Sequence, residues 1–203
     1  MVKQVKIYVE GGGDRALDHT YCRKGFHKLL DGTVQRKPRI IAGGGRNATF
    51  EKFKTELRSS KDVYPILLVD SEDALQVPDI NAWVHLKNRD QWERPPHVKD
   101  EQAQLMVTCM ETWIMADQDA LQSFYGAPLN RKSLLPIHDL ESKNRHTVQD
   151  ALEKATRNCG PDRMYQKGKR SFRILGELNP DKLKEHLPHF NHLAATLSTL
   201  LDG

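Results

Sequence analysis

The sequence contains no apolar run that approaches the length of a bilayer-spanning helix. Its first residues, Met1 to Gln4, do not begin the apolar core of a signal peptide. It has only three cysteines (Cys22, Cys109 and Cys159), which form no Cys-x-x-Cys pair and predict buried thiols in a reducing compartment. We therefore expect a cytoplasmic protein that has no membrane partner.

Two common catalytic motifs are also missing. The glycine run at 43–45 is followed by Arg46 and not by Lys-Ser/Thr, so it is no nucleotide-hydrolysing loop. It favours a plain tight turn or a nest of backbone N–H groups for phosphate, which Arg46 could then contact. Because the sequence has no Gly-x-Ser-x-Gly elbow either, it gives no ground for a Ser-His-Asp hydrolase.

What is present is the composition of a globular chain of 203 residues, with 38% hydrophobic and 29% charged residues. This length suits one domain, or one domain with an appendage, and it can bury a core without disulfides. The formal net charge of +4 permits a nucleic-acid partner. Basic residues form a cluster in the sequence at Arg163, Lys167, Lys169, Arg170 and Arg173. Such a cluster is either a solvated face or a phosphate-binding face.

Apolar patterns predict that strands and helices alternate along the first half of the chain. Val5, Ile7 and Val9 alternate with more polar neighbours in a first strand. The continuous apolar run at 64–69 is typical of a strand that is buried on both faces. Shorter strands are predicted at 39–42 and 104–108, and helices at 15–30, 50–57 and 109–125.

The order of these elements predicts an α/β fold, in which a mostly parallel sheet is flanked by helices and followed by a helical C-terminal extension. We expect residues 77–102 to be irregular, apart from a short strand at His85-Leu86. Residues 1–125 form the predicted α/β domain, and residues 126–203 a helical part that packs on the same domain. Helices in that second part are predicted at 147–156, 168–178 and 181–201, with Leu187-Pro188 as a break.

Acidic side chains stand where the predicted strands end. Glu10 follows the first strand, Asp70, Glu72 and Asp73 follow the buried strand, and Glu111 follows the strand at 104–108. Because parallel strands end at the same edge of a sheet, we expect these side chains to converge. Close carboxylates raise one another's pKa unless a cation joins them. Oxygen ligands favour Mg²⁺ or Mn²⁺, and such ions suit phosphodiester cleavage.

Simpler roles exist for the same acids. Glu10 and Asp70 could be helix caps or loop acids, and Asp14 could cap the helix that follows it. Glu111 could be a first-turn acid that the helix dipole favours. The strand-end position favours a functional role for Glu10 and Asp70, whereas Asp14 and Glu111 remain open between the two roles.

The motifs Val9-Glu10-Gly11 and Leu68-Val69-Asp70-Ser71-Glu72-Asp73 resemble those of the Toprim (topoisomerase–primase) domain. More narrowly, the chain resembles a family of small bacterial Toprim-like proteins of unassigned function, domain-of-unknown-function family 4276. Features of this resemblance extend from near residue 5 to near residue 190. They include Cys22-Arg23-Lys24-Gly25-Phe26, Gly43-Gly44-Gly45-Arg46, Glu111-Thr112-Trp113 and Tyr165-Gln166-Lys167.

The resemblance implies a divalent-metal-dependent nuclease related to the OLD type, whose members are often paired with an ABC-class ATPase in phage defence. It implies that metal is held by Glu10, which is also catalytic, with Asp70, Glu111 and either Glu72 or Asp73. That choice is open because the usual Asp-x-Asp is replaced by Asp70-Ser71-Glu72, with Asp73 one step later. The resemblance also implies a basic residue that contacts the scissile phosphate, and this catalytic residue is Lys169 or Lys167. The further phosphate-binding residues are Arg46, Lys167 and Arg170.

Two other functions use the same sequence features. In the first, the chain is a non-catalytic subunit that docks on an ATPase or another protein through the Trp-rich segment at 77–96. Trp83 and Trp92 of that segment could alternatively stack on bases. In the second, the acids serve a phosphoryl-transfer enzyme that acts on a small nucleotide.

Overall fold

Four parallel strands form one sheet in the computed structural model, which describes residues 4–13, 15–59, 62–75, 81–160 and 162–203. The strands are β1 (Gln4–Glu10), β2 (Arg39–Gly44), β3 (Val63–Asp70) and β4 (Ala103–Met106). Their order across the sheet is β2-β1-β3-β4. The predicted α/β fold with a parallel sheet is therefore confirmed.

Nine α-helices lie within the described ranges, and they flank this sheet. The first three are α1 (Ala16–Asp31), α2 (Arg46–Ser59) and α3 (Ala82–Asp90). Two more follow β4, namely α4 (Met110–Ala116) and α5 (Gln118–Tyr125). The C-terminal helices are α6 (Arg145–Thr156), α7 (Lys169–Leu175), α8 (Pro180–His186) and α9 (Pro188–Leu201).

The central strand β1 places its carboxyl end beside the ends of both neighbours. Ile7 of β1 lies level with Ile40 of β2 and with Ile66 of β3. Further along, Glu10 lies level with Gly44 after a register shift, and Asp70 of β3 lies level with Met106 of β4. All four strands consequently end at one edge, where the sequence pattern predicts the acids.

Each face of the sheet is covered by its own apolar core, because side chains alternate along a strand. Val5, Ile7 and Val9 of β1 pack on the side that holds α1, α4 and the C-terminal helices. Tyr8 points to the other side, where Leu67 of β3 joins a cluster of aromatic side chains. Burial on both faces explains the continuous apolar run of β3.

The C-terminal helices share a core with the sheet. Phe172 of α7, Leu183 of α8 and Phe190 of α9 belong to the same buried cluster as Ile7 of β1. The ring of Phe190 lies edge-on to that of Trp113, with centroids 4.9 Å apart. These contacts agree with a helical part that packs on the α/β part, while the boundary at residue 125 stays a prediction.

The expectation of irregular structure with a short strand at His85-Leu86 is wrong, because both residues lie in α3. The Asn81 side chain caps this helix by accepting a hydrogen bond from the Trp83 backbone N–H at 2.8 Å. Trp83 and Leu86 are three residues apart, so both reach the core from one helix face. Residues 77–80 of the predicted irregular segment lie outside the described residues.

The tryptophans of this segment are core residues. Trp83 and Trp92 are 4% and 8% exposed, and Trp92 stacks on Phe50 with ring centroids 4.2 Å apart. They are therefore not available to stack on bases or to form a docking surface. Among the described residues, no helix combines the length and the apolar character that crossing a bilayer requires.

Candidate active site

An open cavity of about 380 Å³ lies at the carboxyl edge of the sheet. Four acidic side chains line it: Glu10 at the end of β1, Asp70 at the end of β3, Glu111 in the first turn of α4, and Asp18 in the first turn of α1. Lys167, which precedes α7, brings an amine to the same cavity. The structure thus brings together three of the predicted metal ligands and one predicted phosphate-binding lysine.

Glu10 is held between a guanidinium and the neighbouring strand. Its Oε2 accepts a hydrogen bond from Nη1 of Arg46 at 3.0 Å and one from the backbone N–H of Asp70 at 3.3 Å. Burial raises the pKa of Glu10 above its ordinary value, and the charge of Arg46 offsets part of that rise. The side chain is therefore fixed in place and faces the cavity as a poorly solvated carboxyl group.

Asp70 occupies a position that is unfavourable for a charged carboxylate. Burial, followed by the charges of Glu10 and Glu111, raises its pKa well above the ordinary value of 3.8. Lys167 and a hydrogen bond from the backbone N–H of Met110 at 2.9 Å oppose this rise only in part. A cation next to Asp70 would remove the repulsion that its neighbours impose.

Glu111 is only 2% exposed, yet each of its oxygens has a polar neighbour. The hydroxyl of Tyr165 donates a hydrogen bond to its Oε1 at 2.8 Å, and Nζ of Lys167 lies 3.8 Å from its Oε2. Burial, and then the charge of Glu111, raises the pKa of Tyr165 well above the ordinary value. Tyr165 consequently remains a hydrogen-bond donor that fixes Glu111 against the cavity wall.

Arg46 connects the site to the other face of the sheet. Besides Glu10, its guanidinium donates hydrogen bonds to the backbone oxygen of Asp70 at 2.6 Å and to both carboxylate oxygens of Asp90 at 2.8 and 2.7 Å. It lies 5.2 Å from the ring centroid of Trp92. Arg46 therefore holds acids of the protein in place, where the sequence pattern predicted that it would contact a phosphate.

Glycines form one wall of the cavity because the backbone itself comes close to it. Gly11, directly after β1, and Gly44, the last residue of β2, exchange reciprocal backbone hydrogen bonds of 2.9 and 3.1 Å. Gly12 has φ +89°, a left-handed conformation that strains other residues. Its absent Cβ would lie 2.8 Å from the ring of His19. This turn leaves the space beside Glu10 open.

Glu72 and Asp73 do not line the cavity. Glu72 forms ion pairs with Arg145 and with Arg89, the latter at 3.7 Å, and Asp73 is exposed and pairs with Arg89 at 3.7 Å. The loop turns away after Ser71, since Glu72 adopts a left-handed φ of 70°. Asp14, the remaining predicted acid, lies outside the described residues.

The predicted phosphate-binding residues after residue 160 are placed unequally. Lys167 lines the cavity, whereas Nζ of Lys169 lies 5.0 Å from the ring centroid of Tyr21 on an adjoining surface. Arg170 donates hydrogen bonds to the backbone oxygens of Met164 and Asp162. Of the two lysines predicted to contact the scissile phosphate, Lys167 is the one beside the acids.

Sequence reasoning missed two residues that support the acids, Asp90 and Tyr165 as a hydrogen-bond donor. Asp90 lies in the segment that was expected to be irregular, and only its placement at the end of α3 brings it to Arg46. Tyr165 precedes Lys167 by two residues in the motif Tyr165-Gln166-Lys167. In an extended segment, side chains two residues apart point to the same side, and this spacing was the available signal that Tyr165 lies at the same site as Lys167.

No group of three or more His, Cys, Asp or Glu side chains in the described ranges is arranged to hold a metal ion by itself. The acidic side chains that line the cavity therefore do not form a complete metal site without other ligands. Mg²⁺ is usually held by one or two carboxylates together with water and substrate phosphates.

The family described as "Domain of unknown function (DUF4276)" matches residues 9–198 of the chain, so the protein belongs to that family. The matched range begins beside Glu10 and includes Asp70, Glu111 and Lys167. No curated protein and no solved structure matches the chain.

Proposed function

We propose that the chain is a divalent-metal-dependent nuclease of the Toprim type, which cleaves phosphodiester bonds of DNA or RNA. The observation that carries this proposal is the meeting of Glu10, Asp70 and Glu111 at one cavity, where their charges and burial raise the pKa of Asp70. The link to an ABC-class ATPase and to phage defence belongs to the same proposal and depends only on the resemblance in sequence.

The donor set suits a hard divalent ion. Glu10 and Asp70 offer carboxylate oxygens beside an open cavity, and oxygen ligands are those that Mg²⁺ and Mn²⁺ prefer. Such an ion, when bound, polarises a phosphoryl oxygen and assists attack by water. Glu111, held by Tyr165, contributes a third negative charge that favours a cation in the same space.

The other residues of the site have separable roles. Lys167 is exposed beside Glu111, where its amine can contact a phosphate oxygen and stabilise the charge that develops during cleavage. Arg46 fixes Glu10 through its 3.0 Å hydrogen bond, so it is a positioning residue. Asp73 and Lys169 take no part at the cavity in this assignment, although both were candidates from the sequence.

The test compares purified wild type with Glu10→Gln, Asp70→Asn and the control Asp73→Asn, on single-stranded and duplex oligonucleotides with Mg²⁺ or Mn²⁺. We expect wild type and the control to cleave, and the two site variants to lose about 100-fold or more in rate. A Mn²⁺ titration monitored by thermal unfolding adds a second readout, since an ion that binds the folded chain stabilises it. The site variants should lose that stabilisation.

An active wild type whose Glu10→Gln and Asp70→Asn variants cleave equally well would refute the assignment. Cleavage of mononucleotide phosphates but not of oligonucleotides would move the activity to a small-nucleotide phosphoryl-transfer enzyme. The alternative of a docking subunit loses its structural basis in the described part of the segment at 77–96, because Trp83 and Trp92 are buried.

A further inference from the structure

A second groove, of about 260 Å³, lies between α1 and α7. We call it the α1/α7 groove; its side walls include Tyr21, Lys24, Lys28, Phe124, Phe172 and Arg173. The two helices approach closely at Gly25, where a Cβ would lie 2.4 Å from the backbone oxygen of Phe172. The groove is therefore a fixed feature of helix packing, and it has no role in the proposed cleavage chemistry.

Three cations of this surface have no acidic partner. Lys24, Lys169 and Arg173 are exposed, and within the described ranges none of them forms an ion pair. Lys28, by contrast, pairs with Glu177 at 2.6 Å. The surface thus carries uncompensated positive charge, which attracts a polyanion.

Two aromatic rings lie directly beneath these cations. Nζ of Lys169 is 5.0 Å from the ring centroid of Tyr21, and the guanidinium carbon of Arg173 is 5.6 Å from that of Phe124. Both rings are partly exposed at the groove. Aromatic rings interleaved with cations are the surface on which unpaired bases stack while the backbone is neutralised.

The α1/α7 groove adjoins the acidic cavity. Phe172 lines both of them, and Lys167 of the cavity is two residues before Lys169. A chain of phosphates that reached Asp70 and Glu111 could therefore continue past Lys169 toward Arg173. The acidic side chain that lines the groove, Glu177, is paired with Lys28 at 2.6 Å.

From these contacts we infer that a single strand of nucleic acid, the substrate of the proposed nuclease, leaves the cavity along the α1/α7 groove. Lys24, Lys169 and Arg173 contact its phosphates, and Tyr21 and Phe124 stack on its bases. A duplex conceals the faces of its bases, so the aromatic rings favour an unpaired strand. This inference depends on the proposed function for the identity of the strand, but the groove is tested without cleavage.

The experiment measures the binding of a fluorescent oligo-dT strand and of a matched duplex in EDTA, over a series of salt concentrations. The triple variant Lys24→Gln/Lys169→Gln/Arg173→Gln is compared with Lys132→Gln/Lys154→Gln/Arg157→Gln. The control triple removes three cations that are likewise exposed but line neither cavity. We expect the groove triple to weaken strand binding about tenfold or more, and to reduce the salt slope by about 2, since each phosphate contact on a single strand contributes about 0.7.

Tyr21→Leu separates stacking from charge. It should weaken strand binding by about tenfold while leaving the salt slope unchanged. Any of three results would overturn the inference. The two triple variants could bind the strand equally well, wild type could fail to bind the strand, or wild type could bind strand and duplex with equal affinity. The groove triple could weaken strand binding although wild type cleaves no oligonucleotide with Mg²⁺ or Mn²⁺. That result would refute the proposed nuclease activity and support the α1/α7 groove as a binding site for single strands.

Discussion

The backbone N–H of Asp70 donates a hydrogen bond to Oε2 of Glu10 at 3.3 Å, although 60 residues separate the two in sequence. The contact exists because β1 and β3 are adjacent parallel strands that end together. It brings the carboxylates of two strands to one cavity, which Glu111 and Asp18 also line. The chemistry proposed for this protein depends on that proximity.

Asp70 should make the free energy of unfolding depend on pH. Its pKa is higher in the folded chain than in the unfolded chain, so the folded chain binds more protons above pH 3.8. The free energy of unfolding contributed by this group is therefore greatest below that pH, and it falls as the pH rises through the folded pKa. Glu10, whose pKa is also raised, acts in the same direction.

Asp70→Asn removes this penalty and retains an oxygen that can accept from the Met110 N–H. In EDTA, we expect the variant to unfold at higher urea than wild type near neutral pH, with a gain that shrinks toward about pH 4. Asp73→Asn, which removes an exposed carboxylate three residues later, is the matched control and should gain less at neutral pH. A gain that grew on acidification would contradict a raised pKa for Asp70.

Arg46 should be important for stability as well as for the position of Glu10. Arg46→Met leaves Glu10 without its guanidinium partner and leaves Asp90 with Arg89 alone, and both carboxylate side chains are less than one-fifth exposed. Removing one partner of such a pair costs about 3 kcal/mol, because the remaining carboxylates stay poorly solvated. Arg58→Met, on the exposed face of the same helix, should change the free energy of unfolding by no more than about 0.5 kcal/mol. Equal urea midpoints for the two variants would show that Arg46 has no such role.

The sequence was sufficient to predict the parallel sheet and the acids at its edge, because both follow from local pattern. Strand β3 is a continuous apolar run, and Glu10 and Asp70 stand at the ends of their strands. It was not sufficient for α3, whose capping by Asn81 lies in a segment that is rich in charge. Helix α3 forms because Trp83 and Leu86 find a core that the local sequence does not reveal.

Sequence spacing also could not predict which acidic and basic side chains line the cavity and which form ion pairs elsewhere. Glu72 follows Asp70 by two residues, but its left-handed backbone sends it toward Arg89. Arg46 follows a glycine run that suggested a phosphate-binding role, yet its guanidinium donates a hydrogen bond to Asp90, which is 44 residues away in sequence. Such pairings depend on which loops the fold brings together, and a single sequence carries no signal for them.

Tyr165 should stabilise the folded chain through its hydrogen bond to Glu111. Tyr165→Phe keeps the ring but leaves Oε1 of a carboxylate that is 2% exposed without its 2.8 Å donor. The expected cost is about 1–3 kcal/mol in the free energy of unfolding. Tyr64→Phe is the matched control, because its 2.9 Å bond to Glu101 lies where the acceptor is 36% exposed and water can replace the donor. Chemical denaturation of both variants measures the difference, and a smaller loss for Tyr165→Phe than for Tyr64→Phe would be inconsistent with the burial of Glu111.

Gly25 should resist a substitution that helix propensity alone would favour. Alanine is the better helix former by about 1 kcal/mol. At this position, however, its Cβ would lie 2.4 Å from the backbone oxygen of Phe172, which cannot rotate away as a side chain can. Helices α1 and α7 would have to separate, and we expect Gly25→Ala to lower the free energy of unfolding by about 1–3 kcal/mol. Gly45→Ala is the control for the added methyl group, since nothing lies within 4 Å of its Cβ, and it should be neutral or slightly stabilising. If Gly25→Ala unfolded at the same urea concentration as wild type, the close approach of α1 and α7 that forms the base of the α1/α7 groove would be wrong.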